Sequence, residues 1–244
     1  MMSNHWITPA RHAACVPLAL LAAGLPGCGR GGFTSELPVQ PQAQIVRATE
    51  GTTLSLPLDK PLAIALAPTQ ETPGLDGTAD ADAHATKDGN ADARAAVKNA
   101  GKATGGFQLG HALKNETERQ VDFDFHVRFR YEYEAKAEPA SGLPDATVAL
   151  TLYGRTGRGR RLTELDLLQH STGDGAVQRA ADEDLHFTLT LGPGETVNVY
   201  LGGEVKVEVA DGHSASGSLK VSALKMDIVT RPAPPVATTQ NAKP

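Results

Sequence analysis

From Val121 to Ala135 apolar and polar residues alternate without a break. Val121, Phe123, Phe125, Val127, Phe129, Tyr131, Tyr133 and Ala135 share one phase, and Asp122, Asp124, His126, Arg128, Arg130, Glu132 and Glu134 occupy the other. Strict period two predicts a β-strand with one face on a core and the other in water. At helical periodicity the same rings would scatter around the axis. A strand of this length would run roughly 50 Å at about 3.3 Å per residue, so a bend or bulge within it is expected.

Shorter strands are predicted at 44–49, 52–58 and 62–67, and again at 145–153, 162–168, 185–191, 196–201, 204–210 and 218–229. Turn signals separate them at Glu50-Gly51, Asp59-Lys60-Pro61, Gly192-Pro193-Gly194, Gly202-Gly203 and Asp211-Gly212. In the last strand the apolar phase moves from Leu219, Val221 and Ala223 to Leu224, Met226 and Ile228. One extra residue there predicts a β-bulge, because a slip of one would turn the buried face outward. Short strands at this spacing, without intervening helices, indicate an all-β fold, an antiparallel β-sandwich of two sheets, jelly-roll or Ig-like. The segment Leu-Gly-Pro-Gly-Glu-Thr-Val at 191–197 is similar to a strand-turn-strand of many bacterial β-sandwich domains, which supports the fold and not a function.

Between Pro73 and Gly106 the chain is rich in Ala, Asp and Gly. Such a stretch buries little apolar surface to offset its ordering entropy, and it is expected to be a flexible insertion. Residues 91–100 could form one short helix ended by Gly101, though an isolated helix of this length is marginal. Residues 28–43, with Gly, Pro and Gln and no period, read as a tether. The Pro-rich residues 231–244 read as a disordered tail, which leaves 44–230 as a single sandwich domain.

The net charge of -5 gives no electrostatic ground for a nucleic-acid partner. Two cysteines are present, Cys15 and Cys28. Arg11, His5 and His12 precede an apolar run that is too short for a bilayer, which needs about 20 residues. It ends in Leu25-Pro26-Gly27-Cys28, which resembles the lipobox of bacterial lipoproteins. The resemblance implies that 1–27 is a signal peptide removed by lipoprotein signal peptidase. Cys28 would then carry the lipid, palmitate included, with no thiol left to form a disulfide. It further implies an outer-membrane address with Gly29 after the cysteine. The partner implied is the membrane itself, with an envelope protein or an anionic lipid as further candidates.

Four arginines (Arg155, Arg158, Arg160 and Arg161) crowd a glycine-rich loop between two predicted strands. Guanidinium grips phosphate bidentately, so the loop is a candidate anion site; the competing reading is a solvated hairpin whose charges discourage edge pairing. Around Ser214 the Gly-x-Ser-x-Gly elbow fails, since Ser216 stands at the second glycine position and a strand follows. Asp80, Asp82, His84, Asp88 and Asp92 lack the glycine and glutamate of an EF-hand loop and read as an acidic solvated linker. His126 lies on a polar strand face and reads as a surface histidine, and His111, His170, His186 and His213 show no ligand spacing such as His-x-x-x-His, so no metal is expected. The core phase takes Phe123, Phe125, Phe129, Tyr131 and Tyr133, and Tyr153 and Tyr200, the candidates for exposure, make a poor sugar platform.

No catalytic residues and no cofactor are expected. The reading is a lipid-anchored envelope lipoprotein acting as a non-catalytic binding or structural module. The alternatives are an envelope hydrolase or metal-dependent enzyme with a site dispersed on loops, and an anchoring subunit of an envelope assembly.

Overall fold

Two strands set the architecture by their length: 25 residues from Ala91 to Asn115 and 37 from Thr196 to Pro232. The computed structural model describes residues 45–138 and 145–234. Within them the strands are β1 (Val46–Ala48), β2 (Thr53–Leu56), β3 (Ile64–Leu66), β4 (Thr69–Pro73), β5 (Thr78–Ala85) and β6 (Ala91–Asn115). After these come β7 (Val121–Glu138), β8 (Ala146–Thr156), β9 (Arg161–Ser171), β10 (Val177–Leu191) and β11 (Thr196–Pro232). The leader, Cys28 and the tether lie outside the described residues, as does the tail beyond 234.

β11 is the spine. Along one edge it pairs antiparallel with β6, from Thr196 opposite Lys114 to Val221 opposite Ala91, and then with β2. Along its other edge β8 covers Val197 to Val207, and β7 covers Ser214 to Pro232. β9 flanks β8, β10 flanks β7, and β3, β4 and β5 follow one another down the free edge of β6. All pairs are antiparallel except the short β1 beside the end of β6.

The long strands fold back on themselves. Val205 and Gly217 are twelve residues apart in β11, a span of roughly 40 Å if extended. Yet a Cβ on Gly217 would lie 2.8 Å from Val205 Cγ1 and 3.5 Å from Val148 Cγ2. The crease between them is visible in the backbone. The β6 register slips between Val209 and His213, where Gly212 takes φ 80° beside Asn99 at φ 71°. The Gly212 N–H donates to Asn99 Oδ1 at 3.0 Å, which ties the two bends together. One continuous hydrogen-bonded sheet thus doubles over into an antiparallel β-sandwich. Phe123, Phe125 and Leu219 from one half share a single core with Val148, Leu150 and Val205 from the other.

The predicted bulge is present: the β7 register shifts between Ser222 and Lys225, with Ala223 at φ 55°. β7 itself pairs with β10 without interruption from Val121 to Ala135, so the irregularity expected in β7 sits on its partner β11 instead. Four further expectations need correction. Residues 73–106 are not a flexible insertion but supply β5 and much of β6, and 91–100 form no helix. Their alanines alternate, with Ala91, Ala93, Ala95 and Val97 buried against the spine. Gly202-Gly203 is not a turn: β11 runs straight through it, because aromatic rings occupy the space of the missing side chains. A Cβ on Gly203 would sit 2.2 Å from Phe107 Cζ, and one on Gly202 3.0 Å from Tyr153 Cε2. Asp211-Gly212 is the crease rather than a hairpin.

Candidate functional site

The arginine loop is the hairpin between β8 and β9, closed by the Thr156 N–H donating to the Arg160 carbonyl at 2.8 Å. Its four cations do not share one task. Arg160 pairs with Glu195 at 2.9 Å, and Arg161 with Glu164 at 2.9 Å. Arg155 lays its guanidinium 4.9 Å above the Tyr153 ring, with its buried Nε unpartnered. Arg158 stands exposed near the tip. Two of the four are therefore already offset by carboxylates, which weakens the loop as an anion cradle.

Tyr153 and Tyr200 offer no sugar platform. They stack at 5.0 Å between centroids and are 8% and 2% exposed, beside Ile64. Burial pushes both phenols above their ordinary pKa. Ser214 lies in β11 just past the crease, paired with Lys98 and Glu138, in extended backbone unlike an elbow. Asp80, Asp82 and His84 alternate along β5 rather than lining a loop, and Asp82 is ion-paired with Arg94 across the strands. Asp88 belongs to the turn before β6, where the Thr86 hydroxyl hydrogen-bonds it and lowers its pKa.

The structure assembles one group that sequence spacing did not reveal. In the β7–β10 ladder His186 is directly opposite His126, and Asp184 lies two residues along β10 on the same outward face. His126 Nε2 is 2.7 Å and His186 Nε2 3.2 Å from the same oxygen, Asp184 Oδ1. The two imidazoles stack at 3.9 Å with an interplanar angle of 19°. One ligand atom from each of the three residues falls within 4.8 Å of the others. Sixty residues separate the histidines, so no His-x-x-x-His spacing exists to read. The local trace is Asp-x-His at Asp124-His126 and Asp184-His186, a pattern that also occurs at Asp82-His84 and Asp211-His213 and so does not single out the site.

The neighbouring charges are already matched. Arg128 ion-pairs with Asp227, whose carboxyl also accepts from the Ser55 hydroxyl and is held below the usual range, mainly by that bond. Arg231 pairs with Asp124, and that contact holds the Asp124 carboxyl low as well. Asp184, by contrast, has only the two imidazoles as ion-pair partners among the described residues. His186 borders a shallow depression of about 510 Å³, lined also by Thr188, Phe187, Val229, Asp124 and Arg231.

No protein-family model and no curated protein matches the chain. Similar solved structures include the enzymatically active domain of bacteriophage CBA120 tailspike protein 4, at 10% identity and a TM-score of 0.29. That alignment covers 68% of this chain but only 19% of the tailspike chain. The CBM22-1 xylan-binding domain from Paenibacillus barcinonensis matches at 16% identity and a TM-score of 0.23, over 75% of this chain and 97% of that one. A family 11 carbohydrate-binding module from Clostridium thermocellum matches at 8% identity and a TM-score of 0.19, over 73% and 95%. Likenesses this remote assign neither a family nor a ligand.

Proposed function

We propose that the protein is a lipid-anchored, non-catalytic binding module of the bacterial cell envelope, attached through Cys28 to the outer membrane. One observation carries the reading: a short apolar run with a small residue immediately before Cys28, in the pattern of a lipobox. Several acyl chains on one cysteine would hold the protein firmly, since each buried CH₂ contributes about 0.8 kcal/mol and a single chain holds only weakly. The folded body is in keeping with a binding role. Its outward strand faces carry matched charges, and Ser214, where the elbow pattern fails, lies in plain strand. A metal-dependent enzyme is the second reading, favoured by the His126–Asp184–His186 cluster and opposed by its place on an open strand face.

Labelling with a radioactive or clickable palmitate tests the anchor. Wild-type protein takes up label and sediments with membranes, whereas Cys28→Ala loses both properties. Equal labelling of the two would contradict the reading.

A further inference from the structure

We infer that His126, Asp184 and His186 form a binding site for a divalent transition-metal ion of the zinc class. The inference names a ligand for the binding module. It does not depend on the anchor, because all three residues belong to β7 and β10 of the folded body.

The donor set selects the ion class. Two imidazole nitrogens and one carboxylate oxygen suit zinc and its transition-metal neighbours, whereas calcium and magnesium favour oxygen-only shells. Geometry favours the same ion. Ligand bonds of about 2.0–2.1 Å in a tetrahedral shell place donor atoms roughly 3.3 Å apart. The His186 Nε2 to Asp184 Oδ1 distance of 3.2 Å already meets that spacing. The His126 contact, at 2.7 Å, must open by about 0.6 Å to reach it. The rings must also turn out of their 3.9 Å stack to aim both lone pairs at one ion, and the side chains of Asp184 and His186, 61% and 68% exposed, have the surface freedom to follow.

The backbone supplies the preorganisation. Directly opposed residues on antiparallel strands hold their Cβ atoms about 4.5–5.5 Å apart, and residues i and i+2 share a face. His126, His186 and Asp184 meet both conditions through hydrogen bonds of the sheet itself. Convergence on one oxygen therefore costs little side-chain ordering beyond what the sheet has already imposed. Electrostatics agrees with the geometry. The adjoining Asp227 and Asp124 are neutralised by Arg128 and Arg231, while Asp184 retains a charge that an incoming cation can use. Three protein ligands leave a fourth position to water or to a small anion, as in open zinc sites. Beside it the depression lined by Thr188 and Arg231 has room for such a group.

The test uses untagged full-length chain, extracted in detergent and stripped with chelator. Zinc titrated by calorimetry should bind at one ion per chain, and cobalt should give the visible absorption bands of a nitrogen- and oxygen-ligated ion. His126→Ala and His186→Ala should each weaken zinc by more than about tenfold, since losing even an outer-shell partner of a ligand costs 10–100-fold. Asp184→Asn should weaken it less, because the amide oxygen still reaches the ion. Unfolding midpoints measured in chelator should agree across the variants, which keeps a folding defect from imitating lost binding. Cys28→Ala should bind zinc like wild type, so failure of the anchor and failure of the metal site are told apart. Wild-type binding no tighter than that of the His126→Ala/His186→Ala double variant would overturn the inference. Equal affinity for calcium would overturn it too.

Discussion

β6 and β7 run along opposite edges of the same stretch of β11 and are built from opposite materials. Leu219 has Ala93 on one side and Tyr133 on the other; Val221 has Ala91 and Tyr131. Both flanks keep strict period two and both are buried, yet one is alanine and the other aromatic. The difference follows the distance between the layers. On the β6 side the doubled sheet meets backbone to backbone: a Cβ on Gly105 would lie 2.7 Å from the Arg94 carbonyl oxygen and 2.9 Å from that of Asp82. Packed sheets interdigitate side chains within a spacing of about 10 Å, so a close approach demands small residues and a wider gap demands rings. Alanine in β6 is a shape requirement, not a weak form of the β7 pattern.

Truncating the aromatic flank should have the largest effect. Phe125 is 2% exposed and stacks on Phe187 at 4.8 Å, so Phe125→Ala is expected to cost about 3–5 kcal/mol in chemical denaturation, through lost burial and a cavity. A cost under about 1 kcal/mol would mean that the aromatic flank is not the packed side.

Further along β6, His111 takes the core-facing phase between Leu109 and Leu113, accepting the Ala63 N–H at Nδ1. Burial, helped by the Lys60 charge, lowers its pKa from 6.5 to about 4. The unfolded chain thus takes up a proton at this residue in a pH range where the folded one does not. Stability from this group is complete above about pH 6.5 and falls as pH drops towards 4, by up to about 3 kcal/mol. Denaturation curves between pH 7 and 4 should show that slope in wild type. His111→Asn, which keeps an acceptor for Ala63, should flatten it. An unchanged slope would place the titrating group elsewhere.

Enlarging the small flank should cost less than emptying the large one. Ala93→Leu adds volume at a position only 1% exposed, and about 1–3 kcal/mol of destabilisation is expected from overpacking. A neutral or stabilising result would show spare room and erase the contrast between the flanks. The smallest change expected is a gain. Ala223 holds φ 55° at the bulge, a region that alanine enters only with strain, so Ala223→Gly should raise stability by up to about 1 kcal/mol.

These contrasts explain what could be read from the chain. β7 was legible because Phe and Val against Asp and Arg give strong contrast at every step. The Ser222–Lys225 bulge was legible because the phase of large apolar residues visibly changes. β5 and the first half of β6 carry the same period, Ala79, Ala81, Ala83 and Ala85 and then Ala91, Ala93 and Ala95. Alanine, however, has little apolar surface to bury and favours helix when alone. The glycines of β11 read as turns because the rings of Phe107 and Tyr153 that fill their place come from other strands. The metal-ligand cluster was hidden for a related reason. β7 and β10 are not neighbours in sequence, so their register, which alone brings His126 to His186, has no local signature.

Hydrogen exchange of backbone amides, resolved by segment, tests most directly whether the two flanks are equal parts of one body. Residues 91–98 of β6 and 123–135 of β7 both hydrogen-bond to the spine, and their amides should be protected to a similar, near-global degree. Exchange within seconds across 91–98, with β7 still protected, would contradict the account and restore that stretch to a loose insertion.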